Sequence, residues 1–223
     1  INMFNFLNNK TAVFGGGSCN NGSHETSIQF GPDIVTLNGA GGLAFEEVPE
    51  FRAGVTQSCA TLGDPMFVTE VKDDLILSLD GIPALEVFTE IAKELDIKNM
   101  EEATQKLLLS FPLDLEQPIF NGEGTLARHV TGIDLETKGI TTAEIVHQGG
   151  VLSFAYRSPK TAEDDLKKML LRLKNQNPSM PTFGMYFNCA SRGEGLYGRP
   201  NVDTQLIRET LGDFPLIGFF GAY

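Results

Sequence analysis

Short apolar runs fill the first 80 residues of the chain, and clusters of Gly, Pro, Asn and Asp separate them. In SIQFG and MFVTEV the apolar positions tend to alternate with polar ones, a pattern typical of a strand with one solvated face. The pairs Asn21-Gly22 and Asn38-Gly39 favour tight hairpin turns. The sequence therefore predicts strands in the runs TAVFGGG, SIQFG, IVTLN, GGLAFEEV, FRAGVTQS, MFVTEV and LILSL.

The apolar spacing changes to a helical period after residue 80. Apolar residues at three- and four-residue intervals predict a helix over Pro83–Leu95. Asn99 with Glu102 resembles a capping box that opens a second helix through Leu109. The later elements predicted in the same way are a strand-rich block over Ile119–Tyr156, helices at Thr161–Asn175 and Val202–Leu211, and strands at Phe183–Cys189 and Pro215–Tyr223.

This order of elements predicts an α/β fold of mixed α+β character. Strands, two helices, more strands and a helix are followed by strand, loop, helix and strand, which suits two lobes of mixed sheets covered by helices. We expect the first lobe to comprise residues 1–95 and the second residues 96–223.

The charge balance narrows the choice of partners. The chain has 223 residues, with 29 acidic and 17 basic side chains and a formal charge of −12. Nucleic acids and anionic membranes require basic surfaces, so neither is expected as the main partner. No apolar run approaches the roughly 18 residues of a membrane span. Cys19, Cys59 and Cys189 form no C-x-x-C pair, which disfavours a disulfide framework and indicates the reducing cytoplasm.

A glycine-dense stretch, FNCASRGEGLYGRP at Phe187–Pro200, joins a predicted strand to a predicted helix. Ligands in open α/β sheets bind beyond the carboxyl ends of strands, where a glycine loop exposes backbone N–H groups. Arg192 would offer a planar fork to a carboxylate or phosphate. This pattern predicts a site for a small anionic or zwitterionic ligand, formed by Cys189, Ser191, Arg192, Gly193 and Tyr197.

A purely structural interpretation of the same stretch stays open. The glycines could make a tight turn, with Arg192 paired to Glu194 or Asp203. Tyr197 could be an aromatic wall with a hydroxyl for the ligand, or it could fasten its loop to the core.

Two other features carry possible chemistry. The turn containing Gly16 and Gly17 lacks both the Lys-Ser/Thr of a phosphate loop and G-x-G-x-x-G spacing, so it is a poor candidate for nucleotide binding. We expect it instead to form a close-packed turn beside a ligand. Of the three histidines, His24, His129 and His147, His129 near the start of a strand is the best candidate for an axial haem ligand. No C-x-x-C-H is present, which excludes covalent haem.

Catalysis and metal binding have little support in the sequence. No G-x-S-x-G elbow is present, and Cys189 has no histidine close to it in sequence. No residues show the tight local spacing of zinc ligands. We therefore expect a protein that is not an enzyme and has no cofactor, with haem as the alternative.

Three stretches taken together resemble the FIST family, named for F-box and intracellular signal transduction. GDPMFVTEVKDDLILSLDGIPALEVF is similar to the end of the family's N-terminal half, and FNCASRGEGLYGRPNVDTQLIRETLGDFPLIGFFGAY to its C-terminal half, with a C-x-x-R-G and LYG close behind. The GGGS at Gly15 resembles a strand-to-glycine turn of the N-terminal half. The family pattern normally begins before Ile1 and continues past Tyr223, so we expect a fragment with both ends missing.

The resemblance implies a sensory domain in signal transduction. Such a domain would bind a small polar metabolite, of the amino acid or organic acid class, and pass the signal to a histidine kinase or a fused output domain. Some family members are haem-based nitric oxide sensors, and others follow F-box motifs and recruit proteins. Metabolite sensing, haem-based sensing and protein recruitment without a small ligand thus all stay open.

Overall fold

The computed structural model describes residues 14–17, 28–31, 33–37, 39–46, 50–113 and 124–221. The strands are β1 (Gln29–Phe30), β2 (Val35–Thr36), β3 (Cys59–Lys72), β4 (Leu75–Leu79), β5 (Ile82–Pro83), β6 (Leu107–Pro112), β7 (Thr125–Asp134), β8 (Gly139–Thr142), β9 (Val151–Arg157), β10 (Gly184–Cys189) and β11 (Leu216–Gly221). The helices are α1 (Ala84–Glu94), α2 (Met100–Lys106), α3 (Pro159–Gln176), α4 (Glu194–Tyr197) and α5 (Val202–Leu211).

The described residues fall into two compact units. Unit 1 lies within Ile1–Phe51, Ser179–Pro200 and Gly212–Tyr223. Unit 2 lies within Arg52–Pro178 and Asn201–Leu211. The boundary between residues 95 and 96 that the sequence suggests stays a prediction.

Unit 2 contains a seven-stranded sheet in the order β3-β9-β6-β7-β8-β4-β5. Every pairing in it is antiparallel, and β3 also pairs with β4, so six of the strands form a closed ring. Two long strands make this closure possible. The first half of β3 pairs with β9 and its second half with β4, while β7 pairs in the same way with β6 and then β8. Each half of β3 and of β7 therefore has one strand partner, and the two long strands join the remaining strands into the ring.

Strand β6 of the unit 2 sheet is buried on both faces. Successive strand residues point to opposite sides, and Leu107, Leu108 and Leu109 of β6 are all buried. Leu107 and Leu109 join a core cluster with Phe88 of α1, whose ring lies 6.3 Å from that of Phe154. Leu108 lies outside that cluster. This explains why β6 is a continuous apolar run and not an alternating one.

Helix α3 buries a stripe of its own and packs against α5, β3 and β9. Its N-terminus is fixed by a capping box, in which the Ser158 side chain accepts from the Thr161 N–H and Thr161 accepts from the Ser158 N–H. Pro159 follows in the first turn, where its missing N–H costs nothing. The buried residues of the stripe are Ala162, Leu166, Met169 and Leu170.

Unit 1 contains two small sheets. Strands β1 and β2 are antiparallel, and β10 and β11 are parallel, in register from Gly184 opposite Leu216 to Cys189 opposite Gly221. Gly218 of β11 lies so close to Tyr186 of β10 that a β-carbon there would overlap the Tyr186 carbonyl oxygen. The parallel pair thus depends on a missing side chain at this position.

The predicted fold class is confirmed, since a large antiparallel sheet is combined with helices. Helices α1, α3 and α5 and the Asn99 cap of α2 also lie where the sequence predicts them. Two predicted strands are wrong, because residues 41–46 and 51–58 form none. The predicted strand at TAVFGGG, the Asn21-Gly22 turn, Asn38 and residues 119–123 lie wholly or partly outside the described residues.

Side-chain bonds to α3 explain why residues 51–58 are not a strand. Arg52 donates to the carbonyl oxygens of Leu173 and Asn177 at the end of α3. The Asp165 carboxylate accepts from the Thr56 hydroxyl and from the Ser58 N–H. This segment is therefore fastened to a helix by individual polar contacts, and no strand ladder forms.

Candidate functional site

The Cys-x-x-Arg-Gly loop begins where β10 ends. The Ala190 N–H donates to the Gly221 carbonyl (2.8 Å), and the Arg192 N–H turns back to the Cys189 carbonyl (3.0 Å). The Cys189 Sγ lies 3.0 Å from the Ser191 Oγ. Ser191 is exposed and Cys189 half-buried, so thiol and hydroxyl together form an accessible rim at the carboxyl end of two parallel strands.

Arg192 is directed inward from this rim. Its side chain is 6% exposed, and its Nη2 donates to the Tyr197 hydroxyl over 2.9 Å. The guanidinium carbon lies 5.9 Å from the centre of the Tyr197 ring, within cation–π distance. Because a buried charge is costly without polar partners, the Tyr197 hydroxyl stabilises the guanidinium as one such partner and helps to orient it.

A short helix, α4, brings Tyr197 to Arg192. Gly193 precedes it with φ 82°, a conformation that glycine adopts without strain, and its carbonyl accepts from the Leu196 and Tyr197 N–H groups. Gly198 ends it in the left-handed conformation with φ 68°. The sequence interpretation missed α4. The two glycines that flank this four-residue segment, Gly193 and Gly198, could have indicated a short helical turn.

Gly17 lies beside the same strand ends. A β-carbon on Gly221 would overlap the Gly17 carbonyl oxygen, and Gly221 pairs with Cys189. Gly16 is the exposed residue before it. The structure thus brings Gly17, Gly221 and Cys189 together, as a close-packed turn beside the loop requires. For Tyr197, the 7% exposure of its side chain agrees with the interpretation in which it fastens the loop.

A cavity of about 540 Å³ lies elsewhere, within unit 2. It borders the outer face of α1 and the first half of β3. None of the predicted site residues lines it. Its lining residues are Leu62, Gly63, Asp64, Met66, Ile82, Glu86, Val87, Glu90, Ile91, Glu94, Leu95 and Phe154. In the sequence, the part of this lining that is visible is the repeat of glutamates at every fourth position of α1.

His129, the candidate haem ligand, is half-buried on β7. Its Nδ1 lies 3.2 Å from the Thr104 carbonyl oxygen, which can only accept, so Nδ1 carries the proton. Its Nε2 is then the acceptor for Arg157 Nη1 at 3.4 Å. Ligation of haem iron by Nε2 would have to break this contact. His147 is exposed, and His24 lies outside the described residues.

Cys59 of β3 pairs with Arg157 of β9, and its thiol is a poor nucleophile at neutral pH. Burial, together with the negative charge of Asp165, raises the pKa of the Cys59 thiol to about 12, against the opposing effect of Arg157. The thiolate is the nucleophile and metal ligand, so this half-buried cysteine behaves as an apolar group at neutral pH.

Among the residues that the structure describes, no three His, Cys, Asp or Glu side chains converge as ligands for a metal ion. No helix in those residues combines the length and the apolar character needed to cross a membrane.

Comparison with known families identifies the class of protein. The FIST N domain matches residues 1–82 and the FIST C domain matches residues 84–222. The chain therefore belongs to the FIST family, whose domains are sensory domains of signal transduction.

Mycobacterial relatives extend the similarity but give no activity. The chain is 31% identical over 169 residues to an uncharacterized protein of Mycobacterium tuberculosis strain H37Rv and to one of Mycobacterium bovis. These alignments cover 75% of this chain and 44% of each relative, so the chain spans less than half the length of the relatives it matches. No solved structure matches.

Proposed function

We propose that this chain is a sensor, and not an enzyme, that binds a small anionic or zwitterionic metabolite at the Cys-x-x-Arg-Gly loop. The ligand class is an amino acid or an organic acid. Its carboxylate would take the guanidinium fork of Arg192, and the Cys189–Ser191 rim with the backbone around Gly17 and Gly193 would surround it.

One observation carries this proposal: a buried guanidinium is held in a fixed orientation behind an accessible rim. The hydrogen bond to Tyr197 fixes the plane of Arg192, which lowers the entropy lost when a carboxylate binds to it. The loop also lies at the carboxyl ends of parallel strands, where α/β folds bind ligands.

The burial of Arg192 would couple ligand binding to a conformational change, which is the step that a sensor needs. Because Arg192 is buried, a carboxylate would reach the guanidinium only after neighbouring residues move, and Gly193 would provide backbone freedom for such a movement. Ligand binding would then be coupled to the conformation of the loop and of α4. A histidine kinase or a fused output domain would receive this change, and free thiols at Cys59 and Cys189 support a cytoplasmic location.

A thermal-shift screen followed by calorimetry tests the proposal. The panel contains the amino acids, succinate, citrate and haemin. A ligand at about 100 times its Kd stabilises the folded state by about 2.7 kcal/mol, which raises Tm by several degrees. We expect a shift with a carboxylate ligand. A shift with haemin alone, lost in His129→Ala, would instead make this a haem sensor.

Substitutions in the loop then locate the site. Arg192→Lys keeps the charge and loses the planar fork, so we expect the Kd to rise at least tenfold. Arg199→Lys, at an exposed arginine of the same loop, is the matched control and should bind normally. Tyr197→Phe removes only the hydroxyl that orients Arg192 and should weaken binding severalfold. An unchanged Kd in Arg192→Lys would refute the proposed site.

A further inference from the structure

The outer face of α1 carries two parallel stripes of different chemistry. Helix α1 already buries one stripe, with Leu85 and Phe88, in the core of unit 2. Beside it runs a second apolar stripe that is half-buried. A stripe of carboxylates follows next, and each glutamate immediately precedes one apolar residue of the second stripe. The members of these two stripes are Val87, Ile91 and Leu95, and Glu86, Glu90 and Glu94. The three apolar residues pack against the edge of the unit 2 core and also line the cavity.

These stripes form one wall of the 540 Å³ cavity. We call this feature the α1 groove and define it by the cavity's lining residues given above. Its floor is apolar, with Leu62 and Met66 from β3 beside the α1 stripe. Ile82 of β5 also lines the cavity and is 47% exposed.

The border of the α1 groove is acidic. Four carboxylates line it, those of Asp64, Glu86, Glu90 and Glu94. Two lysines face them: Lys138 pairs with Glu86 at 2.6 Å, and Lys93 pairs with Glu90 at 3.3 Å.

Both lysine pairs are solvent-exposed. Exposed pairs of this kind contribute little to stability, so a partner's cations can exchange with these lysines at low cost. The groove therefore keeps a negative border around an apolar floor.

We propose that the α1 groove docks a basic amphipathic helix of a partner protein. Glutamates four residues apart rise about 6 Å per step along α1, which matches Lys or Arg at four-residue intervals on a second helix. Apolar residues of that helix at positions i, i+4 and i+7 would fill the floor between the carboxylates. Anionic lipid and nucleic acid are repelled by the same border. The groove belongs to unit 2 and shares no residue with the Cys-x-x-Arg-Gly loop of unit 1.

A labelled model peptide tests the docking. The probe is an 18-residue peptide of Leu and Lys in helical amphipathic order, and fluorescence anisotropy measures its binding to the intact chain. A scrambled peptide of equal composition keeps the charge and loses the stripe. We expect the ordered peptide to bind at least tenfold more tightly, with affinity that falls as salt is added. Equal binding of the two peptides would overturn the proposal.

Charge-reversed variants place the binding on the groove. Glu86→Lys/Glu90→Lys/Glu94→Lys should raise the peptide's Kd at least tenfold. The control Glu101→Lys/Glu136→Lys/Glu209→Lys makes the same change in net charge at exposed positions that do not line the groove, and should change Kd less than twofold. Equal losses in both would mean that only net charge matters, and would overturn the proposal.

Two further arms complete the experiment. If the charge-reversed variant does not fold by circular dichroism, Glu86→Gln/Glu90→Gln/Glu94→Gln removes the charges at constant size and takes its place. Ile82→Ser tests the floor and should weaken binding at low and at high salt. Spermidine shares the cationic chemistry without a helix. Spermidine is added at a concentration equal to the peptide's Kd. If it displaces the peptide completely, the groove is a polyamine site, and the proposal that it docks a helix is overturned.

Discussion

Unit 2 and unit 1 keep their structure by different means. Strands β6 and β9 of unit 2 are buried on both faces, and side chains such as Phe88 and Leu109 are 0% exposed. In unit 1 the parallel strands β10 and β11 leave Ile217 70% exposed, and close backbone contacts at Gly218 and Gly221 hold the segments together. Each fully buried apolar side chain contributes about 1.5–3 kcal/mol. The predicted ligand site lies in the unit with less of this burial, where a loop can move.

The largest loss of stability should come from a substitution that creates a new cavity in the core of unit 2. Phe88→Ala removes a fully buried ring beside Phe154 and should lower the free energy of unfolding by about 3–5 kcal/mol. Urea titration followed by circular dichroism measures this, because the chain has no tryptophan. Phe219→Ala is the control in unit 1. Its ring is 43% exposed and lies 5.3 Å from that of Phe187, so its loss should cost about 1 kcal/mol. Equal losses would contradict the comparison.

A smaller effect is expected from a methyl group between the parallel strands. Gly218→Ala places a β-carbon against the Tyr186 carbonyl, which is backbone and cannot rotate away, so the strands must separate at a cost of about 1–3 kcal/mol. Hydrogen exchange of the β10 and β11 amides should report the loss locally. Gly195→Ala in α4 meets open space and should leave these amides as protected as before. Protected amides in Gly218→Ala would show that the strand contact is not tight.

The smallest change, with no effect on stability at neutral pH, concerns thiol reactivity. With a pKa of about 12, Cys59 is thiolate in about one molecule in ten thousand at pH 8, so iodoacetamide should modify it far more slowly than Cys189. Variants that retain one of the two cysteines, with Cys19→Ser in both, allow the rates to be read by mass spectrometry. Equal rates for the two cysteines would show that Cys59 is not protected by the fold.

The pH dependence of Cys59 has a definite sign. The folded state holds its proton more tightly than the unfolded state, whose thiol has a pKa of 9.0. The stability due to the buried thiol is therefore present below pH 9 and is lost as the pH rises from about 9 to about 12. Labelling of folded Cys59 should accelerate over the same range.

Local patterns in the sequence predicted most of the local structure. Helices α1, α3 and α5 follow from apolar residues at helical spacing, and the Asn99 side chain accepts from the Glu102 N–H as its capping pattern indicates. The predicted second helix extends to Leu109, but α2 ends at Lys106. Leu107 to Leu109 pair with β9 instead, because burial on both faces of the sheet outweighs the helical preference of leucine.

Features that depend on distant residues could not be predicted. The closing pairs of β3 with β9 join parts of the chain that no local pattern relates. The hydrogen bond of Arg192 to Tyr197 requires α4, which is too short to show a period. The α1 groove combines glutamates visible in the sequence with β3 residues that only the fold brings beside them.

The division of β3 between two partners also sets an order of assembly. Its second half pairs with β4 across a short turn, Lys72 opposite Leu75, and such local pairs close within microseconds. Its first half pairs with β9, which lies about a hundred residues further along the chain, and a loop of that length is entropically costly to close. We therefore expect the β3–β4 hairpin to form early and the ring to be completed after α1, α2 and the intervening strands. During synthesis from the N-terminus, the first half of β3 would remain unpaired until β9 has been made.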